Sequence, residues 1–307
     1  MKIAVPDLVS NSYFPAIAAL ELGFFEREGL DLTLEHIFPV TTCLELLAEG
    51  ELDFIAGTAH AVPQIFPGGE GAKLLAALAQ RMYWLLVLRT DLGAMRGDIE
   101  AVKGLRIGAA PMVEQGLRGL LADAGIDIES DDVMVMPVPG SNDAGASFGL
   151  QAARALEAGL IDGFWANALG AECAVRSGAG TVVLDVRRGD GPERARNYTF
   201  PALITSDRLI AEQPDAATAA TRAIVAVQHA LKNDISQATV VGRHLFPEYE
   251  ASLIAGVVER DLPYYDPRID PAVIRDIDAF NARLGTTTVA MTYDQAVATE
   301  FSDLWNA

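Results

Sequence analysis

Apolar and polar residues alternate along the chain in a pattern that predicts short strands separated by amphipathic helices. In the first part of the chain, the pattern predicts strands at residues 2–6, 31–37, 52–56, 73–79 and 83–89, and helices at 13–28 and 41–48. The pattern then restarts, with strands at 105–109, 133–138, 161–165 and 181–186, and with helices running to residue 124 and over 148–157. Strands that alternate with helices are typical of βαβ units and of mainly parallel sheets.

Capping signals mark several of the predicted helix ends. Ser12 is the expected N-cap of the helix at 13–28, and Gly29 follows its end. From Pro214 onward the pattern is mostly helical, and Asp270 followed by Pro271 is a strong local signal for the start of a helix.

The sequence contains an internal repeat. Leu47–Phe54 resembles Leu156–Gly163 at an offset of 109 residues, and Lys2-Ile-Ala resembles Arg106-Ile-Gly at an offset of 104. In each longer copy a glycine is expected to end a helix in the left-handed conformation, and an apolar residue and an aspartate lead into a strand. Any helix-to-strand junction can look like this, but two similar offsets favour two lobes of the same architecture. In such sheets ligands bind beyond the carboxyl ends of the strands.

Composition narrows the classes of function. The chain has 307 residues, long enough for two domains, and 42 acidic against 23 basic residues give a net charge of −19. This charge argues against binding to nucleic acids or to anionic membranes. It does not exclude an anionic ligand, because the local field of a pocket can oppose the net charge.

The cysteines, the glycine motifs, the apolar runs and the N-terminus bear on cofactors and on the location of the protein. The two cysteines, Cys43 and Cys173, form neither a disulfide framework nor a zinc site, and no phosphate-binding glycine motif occurs, so we expect no metal and no cofactor. No apolar run is long enough to span a bilayer, and no signal segment precedes the first strand. The protein is therefore expected to be periplasmic if the chain is a mature form, and cytoplasmic if Met1 is the native start.

Four segments carry a family resemblance: Tyr13–Leu32, with its Gly-Phe-Phe-x-x-Glu-Gly-Leu turn, Leu47–Phe54, Val102–Gly108 and Leu156–Trp165. In these the chain resembles the substrate-binding proteins of ABC transporters for sulfonates, taurine, nitrate and thiamine pyrimidine precursors, which are type II periplasmic binding proteins. The resemblance implies two Rossmann-like α/β lobes with mainly parallel sheets and a ligand cleft between them. It places lobe I at 1–88 plus 202–307 and the inserted lobe II at 89–201. It also implies a monomer that delivers its ligand to a transporter permease.

The loop after the first strand is a candidate ligand contact. Asn11, Ser12 and Tyr13 stand there before a helix N-terminus, whose free N–H groups suit an anion or a carbonyl. Simple capping by Ser12 is the alternative. At the matching place after a later strand stand Thr58 and His60, and His60 is either a structural hydrogen-bonding residue or a donor to a ligand oxygen.

The second half of the repeat offers further candidates. Glu114 either complements a helix dipole or accepts hydrogen bonds from an amino or amidine group of the ligand. Trp165 and Asn167 follow the repeat strand, where Trp165 could stack on a flat ligand or could be part of the core. Arg81 is the best single cation for an acid group of the ligand, with a surface salt bridge as the alternative, and Tyr198 precedes the return to lobe I.

Two functions of different classes fit these observations. The first is a solute-binding protein that captures a small planar or anionic molecule, such as a sulfonate, nitrate, an aromatic acid or a pyrimidine precursor, for ABC-type import. The second is a cytosolic enzyme on the same scaffold, because relatives of the family include a thiamine-pyrimidine synthase and a sulfinate desulfinase. The loop at Asn11–Tyr13 lacks the cysteine that such thiol chemistry requires.

Overall fold

The computed structural model describes residues 1–141, 143 and 145–306. The chain divides into two compact units. Unit 1 consists of Met1–Leu8, Tyr13–Arg81 and Asn197–Ala307, and unit 2 consists of Val9–Ser12 and Met82–Arg196. The resemblance placed the lobe limits after residues 88 and 201. The chain passes between the units after Arg81 and after Arg196, a few residues earlier in each case.

In the described residues ten strands form the two sheets, and most of them lie within two residues of a strand expected from the sequence. In chain order they are β1 Lys2–Val5, β2 Thr33–His36, β3 Phe54–Thr58, β4 Ala72–Ala77, β5 Leu85–Arg89, β6 Arg106–Ala109, β7 Met134–Met136, β8 Gly163–Ala166, β9 Gly180–Asp185 and β10 Pro201–Ser206.

Thirteen α-helices accompany them in the described residues, together with several short 3₁₀ segments. In chain order they are α1 Phe14–Glu21, α2 Phe24–Arg27, α3 Val40–Glu49, α4 Val62–Ile65, α5 Val113–Asp123, α6 Phe148–Glu157, α7 Ala168–Arg176, α8 Asp207–Glu212, α9 Pro214–Asn233, α10 Ser236–Leu245, α11 Glu248–Asp261, α12 Pro271–Leu284 and α13 Tyr293–Ala296. No helix among the described residues is both long enough and apolar enough to cross a membrane.

Each unit contains one five-stranded sheet, and the two sheets have the same topology. The strand order is β2-β1-β3-β10-β4 in unit 1 and β7-β6-β8-β5-β9 in unit 2. Three neighbouring strands of each sheet pair in parallel, whereas β10 and β5 pair antiparallel with both of their neighbours. The predicted mainly parallel α/β fold is confirmed. The sequence pattern did not indicate that one strand per sheet is reversed. In unit 2 this strand, β5, is the first after the chain crosses at Met82, and in unit 1 the strand, β10, is the first after the chain returns at Asn197.

The aspartate of the sequence repeat makes the same hydrogen bond in both units, at the amino end of a strand. The backbone N–H of Lys2 donates to the carboxylate of Asp53 at 2.7 Å, and the N–H of Arg106 donates in the same way to Asp162 at 3.0 Å. Each aspartate thus satisfies an amide at the start of the central parallel strand of its sheet. Gly50 and Gly159 have φ angles of 83° and 70°, the left-handed conformation expected at these helix ends. The prediction of two similar α/β halves is therefore confirmed.

Two helix predictions are wrong in part. The helix predicted at 13–28 is two helices, α1 and α2, separated at Gly23, whose φ of 72° lies outside the helical region. Ser12 is not the N-cap of α1: Tyr13 occupies that position, and no side chain caps the helix there. The start of α12 agrees with the prediction, because Asp270 accepts a hydrogen bond from the N–H of Ala272 at 2.7 Å.

Candidate functional site

One edge of the unit 2 sheet gathers side chains from several strands. The carboxyl ends of β8 and β9 lie beside the start of the reversed strand β5, because Leu85 pairs with both Ala166 and Asp185. Strand β6 runs parallel to β8, so its carboxyl end points to the same edge. In open α/β sheets this is the edge at which ligands bind.

Three aromatic rings pack together at this edge. The ring centroids of Tyr83 and Trp84 are 4.9 Å apart, and Trp84 meets Trp165 edge to face with centroids 6.3 Å apart. Trp165 is 0% exposed, and its indole Nε1 has no hydrogen-bond partner among the described residues. A buried N–H that is not hydrogen-bonded destabilises the folded protein, so this donor requires an explanation. Whether Trp165 contacts a ligand stays a prediction.

Arg187 is a residue that sequence reasoning missed. It follows β9 directly, it is only 3% exposed, and its guanidinium carbon lies 5.7 Å from the centroid of the Tyr83 ring. The neighbouring Arg188 makes the ion pair with Asp185, at 2.7 Å. The available signal in the sequence was its position just after the strand predicted at 181–186, because a buried arginine at a strand end is well suited to bind an acid group.

Glu114 lies in the first turn of α5, after Met112, which has a φ of 70° in the left-handed region. Its Oε2 is buried and has no hydrogen-bond partner among the described residues. Burial raises the pKa of the Glu114 carboxyl, since the charged form loses its hydration, and the nearby Arg118 opposes this effect. The carboxylate is therefore held in an environment that favours a hydrogen-bond donor or a cation as its partner.

The two predicted asparagines meet at the start of α7. Asn167 is the N-cap of this helix, and its side-chain oxygen accepts a hydrogen bond from the N–H of Gly170 at 3.0 Å. The side-chain oxygen of Asn11 accepts from the N–H of Leu169 at 3.1 Å. The amide oxygens thus satisfy two N–H groups of the helix terminus. In the same segment, the backbone N–H of Ser12 donates to Ser10 Oγ at 3.1 Å.

The corresponding edge of unit 1 holds Thr58, His60 and Thr199. Thr58 Oγ1 is 2.9 Å from His60 Nδ1 and 2.7 Å from Thr199 Oγ1, and Thr199 Oγ1 also accepts the N–H of His60 at 3.3 Å. His60 is 0% exposed, and the side chain of Asn281 donates to its carbonyl at 3.0 Å. The contact with Thr58 Oγ1 orients the imidazole, the other bonds hold the backbone of His60, and a role for His60 toward a ligand stays a prediction.

Tyr198 and Tyr13 have distinct places in unit 1. Tyr198 is buried and stacks on Phe280 with ring centroids 4.1 Å apart, while the guanidinium carbon of Arg283 lies 5.2 Å from its centroid. The carbonyl of Tyr13 accepts the first hydrogen bonds of α1. A residue that the sequence reasoning did not single out, His36, ends β2 and has a buried Nε2 with no hydrogen-bond partner among the described residues.

Arg81 lies apart from the other predicted residues of unit 1. It is exposed, has a φ of 67°, and its guanidinium carbon is 5.7 Å from the centroid of the Tyr264 ring. It lines a cavity of about 580 Å³ together with Gln80, Tyr264, Arg268 and Trp305, and no other predicted site residue is among the residues that line it. In the described part of the chain, no group of three or more His, Cys, Asp or Glu side chains could hold a metal ion.

Comparison with known proteins identifies the family. The sequence model of the NMT1-like family matches residues 8–243, so the chain belongs to this family. A search of curated proteins found no match.

Solved structures share the fold at low sequence identity. The alkanesulfonate-binding protein SsuA from Xanthomonas axonopodis pv. citri, bound to MOPS, is 15% identical, with 96% of this chain and 97% of that chain covered and a TM-score of 0.70. The periplasmic nitrate-binding protein NrtA from Synechocystis PCC 6803 is 15% identical, with 99% and 86% covered and a TM-score of 0.70. A mutant of the desulfurization enzyme DSZB in complex with biphenyl-2-sulfinic acid is 16% identical, with 98% and 97% covered and a TM-score of 0.68.

Proposed function

We propose that this chain is a solute-binding protein that captures a small planar or anionic molecule and delivers it to an ABC-type importer. The family membership and the similarity to sulfonate-binding and nitrate-binding proteins support this function. In this proposal the protein is exported, acts as a monomer and has no catalytic activity.

The observation that carries the proposal is the polar set at the carboxyl edge of the unit 2 sheet. Arg187 is buried beside Tyr83, and the indole N–H of Trp165 is buried without a partner among the described residues. Both groups are hydrogen-bond donors, and an oxyanion of a sulfonate or carboxylate accepts from such donors. The aromatic surface of Tyr83 and Trp84 beside them suits the apolar or planar part of a small solute.

The required affinity is modest. A dissociation constant of 1 μM corresponds to about −8 kcal/mol, and hydrogen bonds to charged groups contribute roughly 1.5–3 kcal/mol each. A few such bonds and one aromatic contact are therefore sufficient. At a ligand concentration 100 times the dissociation constant, mass action stabilises the native state by about 2.7 kcal/mol, which raises the melting temperature by roughly 5 °C.

The test is a thermal-shift and calorimetric screen of ethanesulfonate, nitrate, benzoate and a 4-aminopyrimidine. We expect at least one of these compounds to bind saturably and to be recovered unchanged. Arg187→Gln should weaken binding of an acid by tenfold or more, whereas Arg176→Gln, which changes an arginine whose side chain is 58% exposed in the same unit, should leave it unchanged. No binding by any compound, or equal effects of the two substitutions, would contradict the proposal.

The alternative is an enzyme on the same scaffold, and the similarity to DSZB favours it. The buried cysteine of unit 1 gives it little support. Cys43 is buried, its Sγ lies 3.1 Å from the carbonyl oxygen of Ile37, and burial raises the pKa of its thiol to about 12, so that little thiolate forms at neutral pH. Incubation with biphenyl-2-sulfinic acid tests this alternative directly, because release of sulfite at a rate that depends on protein concentration would establish a desulfinase.

A further inference from the structure

The cavity of about 580 Å³ in unit 1 has no part in the function proposed above. It lies where the segment after α11 runs beside the residues that follow β4, and the C-terminal segment contributes Trp305 to its lining. All of the described residues that line it belong to unit 1. None of Tyr83, Trp84, Trp165 and Arg187 is among them, so the cavity is separate from the proposed solute site.

Hydrogen bonds hold the walls of this cavity in place. The backbone N–H of Gln80 donates to the carbonyl of Tyr264 at 2.7 Å. The side-chain amide of Gln80 donates to the carbonyls of Asp266 and Arg268, at 2.8 and 2.7 Å. On another wall, Trp305 Nε1 donates to a backbone carbonyl of β4 at 2.9 Å. A cavity whose walls are fixed before a ligand arrives binds that ligand with a smaller loss of conformational entropy.

The charges of the lining favour a ligand with a single negative charge. Asp266 and Arg268 form an ion pair, with Nε 2.9 Å from Oδ1, so their charges largely cancel. The carboxylate of Asp270 accepts a backbone N–H at the start of α12. Arg81 adds a guanidinium to the same lining. A monoanion can pair with this guanidinium, whereas the two carboxylates would repel a ligand of higher negative charge.

Aromatic and apolar side chains make up most of the remaining lining. Tyr264 and Trp305 contribute rings, beside two prolines and an isoleucine, and the guanidinium carbon of Arg81 lies 5.7 Å from the centroid of the Tyr264 ring. The volume falls within the range of about 300–1,000 Å³ that is typical of pockets for drug-sized ligands. Nitrate or ethanesulfonate would fill only a small part of it. The cavity therefore suits a molecule that carries rings and is larger than these solutes.

We propose that this cavity is a second ligand site, which binds a ring-bearing acid of single negative charge with its acid group on Arg81 and its rings against Tyr264 and Trp305. The backbone of Arg81 agrees with such a role. Its φ of 67° is unfavourable for a residue with a side chain, and conformations of this kind occur often at ligand-binding positions. The proposal goes beyond the proposed function, and either can fail without the other.

Three compounds separate the contributions of the acid group and of the rings. The dye 8-anilinonaphthalene-1-sulfonate carries both, N-phenyl-1-naphthylamine has the same rings without the acid, and ethanesulfonate has the acid without the rings. We expect the dye to bind saturably at one site per chain, with a rise in its fluorescence, and tenfold or more tightly than the uncharged amine. An excess of ethanesulfonate should not displace it.

Substitutions then locate the site. Arg81→Gln should weaken binding of the dye by tenfold or more and leave the uncharged amine unaffected, because only the acid group pairs with the guanidinium. Tyr264→Leu should weaken binding of both compounds, because both use the ring surface. Arg222→Gln changes another arginine of unit 1, whose side chain is 53% exposed, and should change neither affinity. Urea unfolding of each variant is the necessary control, because the dye also binds partly unfolded protein.

Several results would overturn the proposal. One is a dye signal that does not saturate, and another is equal affinity for the dye and the uncharged amine. A third is equal binding of the dye by the Arg81→Gln and Arg222→Gln variants. Displacement by ethanesulfonate, together with loss of dye binding in Arg187→Gln, would place the dye at the proposed solute site and leave the cavity of unit 1 without a ligand.

Discussion

Replacing Trp165 by phenylalanine separates a ligand-binding role from a purely structural one. The substitution removes the indole N–H, which is buried without a partner among the described residues, and keeps an aromatic ring against Trp84. Removing an unpaired buried donor should stabilise the folded state by about 1–3 kcal/mol, whereas the smaller ring leaves a cavity that costs roughly 1–2 kcal/mol. We therefore expect the free energy of unfolding to change by no more than a loss of about 1 kcal/mol or a gain of about 2 kcal/mol.

Binding should respond quite differently. If the indole N–H donates to an acid group of the solute, its loss removes a hydrogen bond to a charged group worth about 1.5–3 kcal/mol, which is roughly a 10-fold to 150-fold loss of affinity. Urea unfolding of the ligand-free protein measures the first quantity. Calorimetric titration, with whichever acid of the screen binds, measures the second.

Trp305 provides the matched control for this measurement. It is also buried, at 8% exposed, but its Nε1 donates to the carbonyl of Leu75 at 2.9 Å. Trp305→Phe should therefore destabilise the protein by about 2–4 kcal/mol, because it breaks a buried hydrogen bond and leaves a cavity, and it should not change the affinity. The reasoning is wrong if the two substitutions destabilise the protein equally and neither affects binding.

Three further predictions concern the scaffold and the thiols. Hydrogen bonds from Arg106 hold the pKa of Asp162 below its usual value, so the ionised Asp162 stabilises the fold above its unfolded-state pKa and this contribution is lost as the pH falls. Asp162→Asn should therefore lower the free energy of unfolding in urea by about 1–2 kcal/mol at pH 7 and by much less at pH 3. An equal loss at both pH values would refute the assignment. A Cβ at Gly170 would lie 2.5 Å from the Gly149 carbonyl oxygen. Gly170→Ala should therefore lower the free energy of unfolding by about 1–3 kcal/mol. An unchanged urea midpoint would contradict this close packing of α6 and α7. Burial raises the pKa of the Cys43 thiol to about 12, so this thiol should resist a thiol reagent at pH 8 in the folded Cys173→Ser variant. It should react once urea unfolds the chain. Rapid labelling of the folded variant would show that the Cys43 thiol is accessible to solvent.

The sequence was sufficient for the architecture because the features that specify it are local. Helix-ending glycines such as Gly50 and Gly159, the aspartates that follow them, and the alternation of strands and helices can all be read within short windows. The directions of β5 and β10 could not be read in this way. A strand direction depends on which neighbours the strand meets in space, and these two strands pair with segments far away in the chain.

The candidate site was only partly accessible to the same reasoning. Position at or after the end of a predicted strand singled out His60, Glu114 and Trp165, the last of which lies within β8. It did not single out Arg187 or His36, which also follow or end strands. An arginine in a sequence is usually a surface residue, and only the structure shows that Arg187 is 3% exposed and packed beside Tyr83. Whether a buried polar atom lacks a hydrogen-bond partner depends on three-dimensional packing and cannot be predicted from the sequence.

The reversed strand of unit 1 has a consequence for synthesis on the ribosome. Strand β10 lies between β3 and β4, but its residues, Pro201–Ser206, are translated only after the whole of Met82–Arg196. More than a hundred residues are therefore translated between β4 and β10, the strand that pairs with both β3 and β4. During that time β3 and β4 each present an unpaired edge. Unit 2 has its five strands available before unit 1 does. We expect it to acquire structure first, and the interval before residue 206 emerges to be the stage at which the nascent chain is most prone to wrong strand pairing and to capture by chaperones.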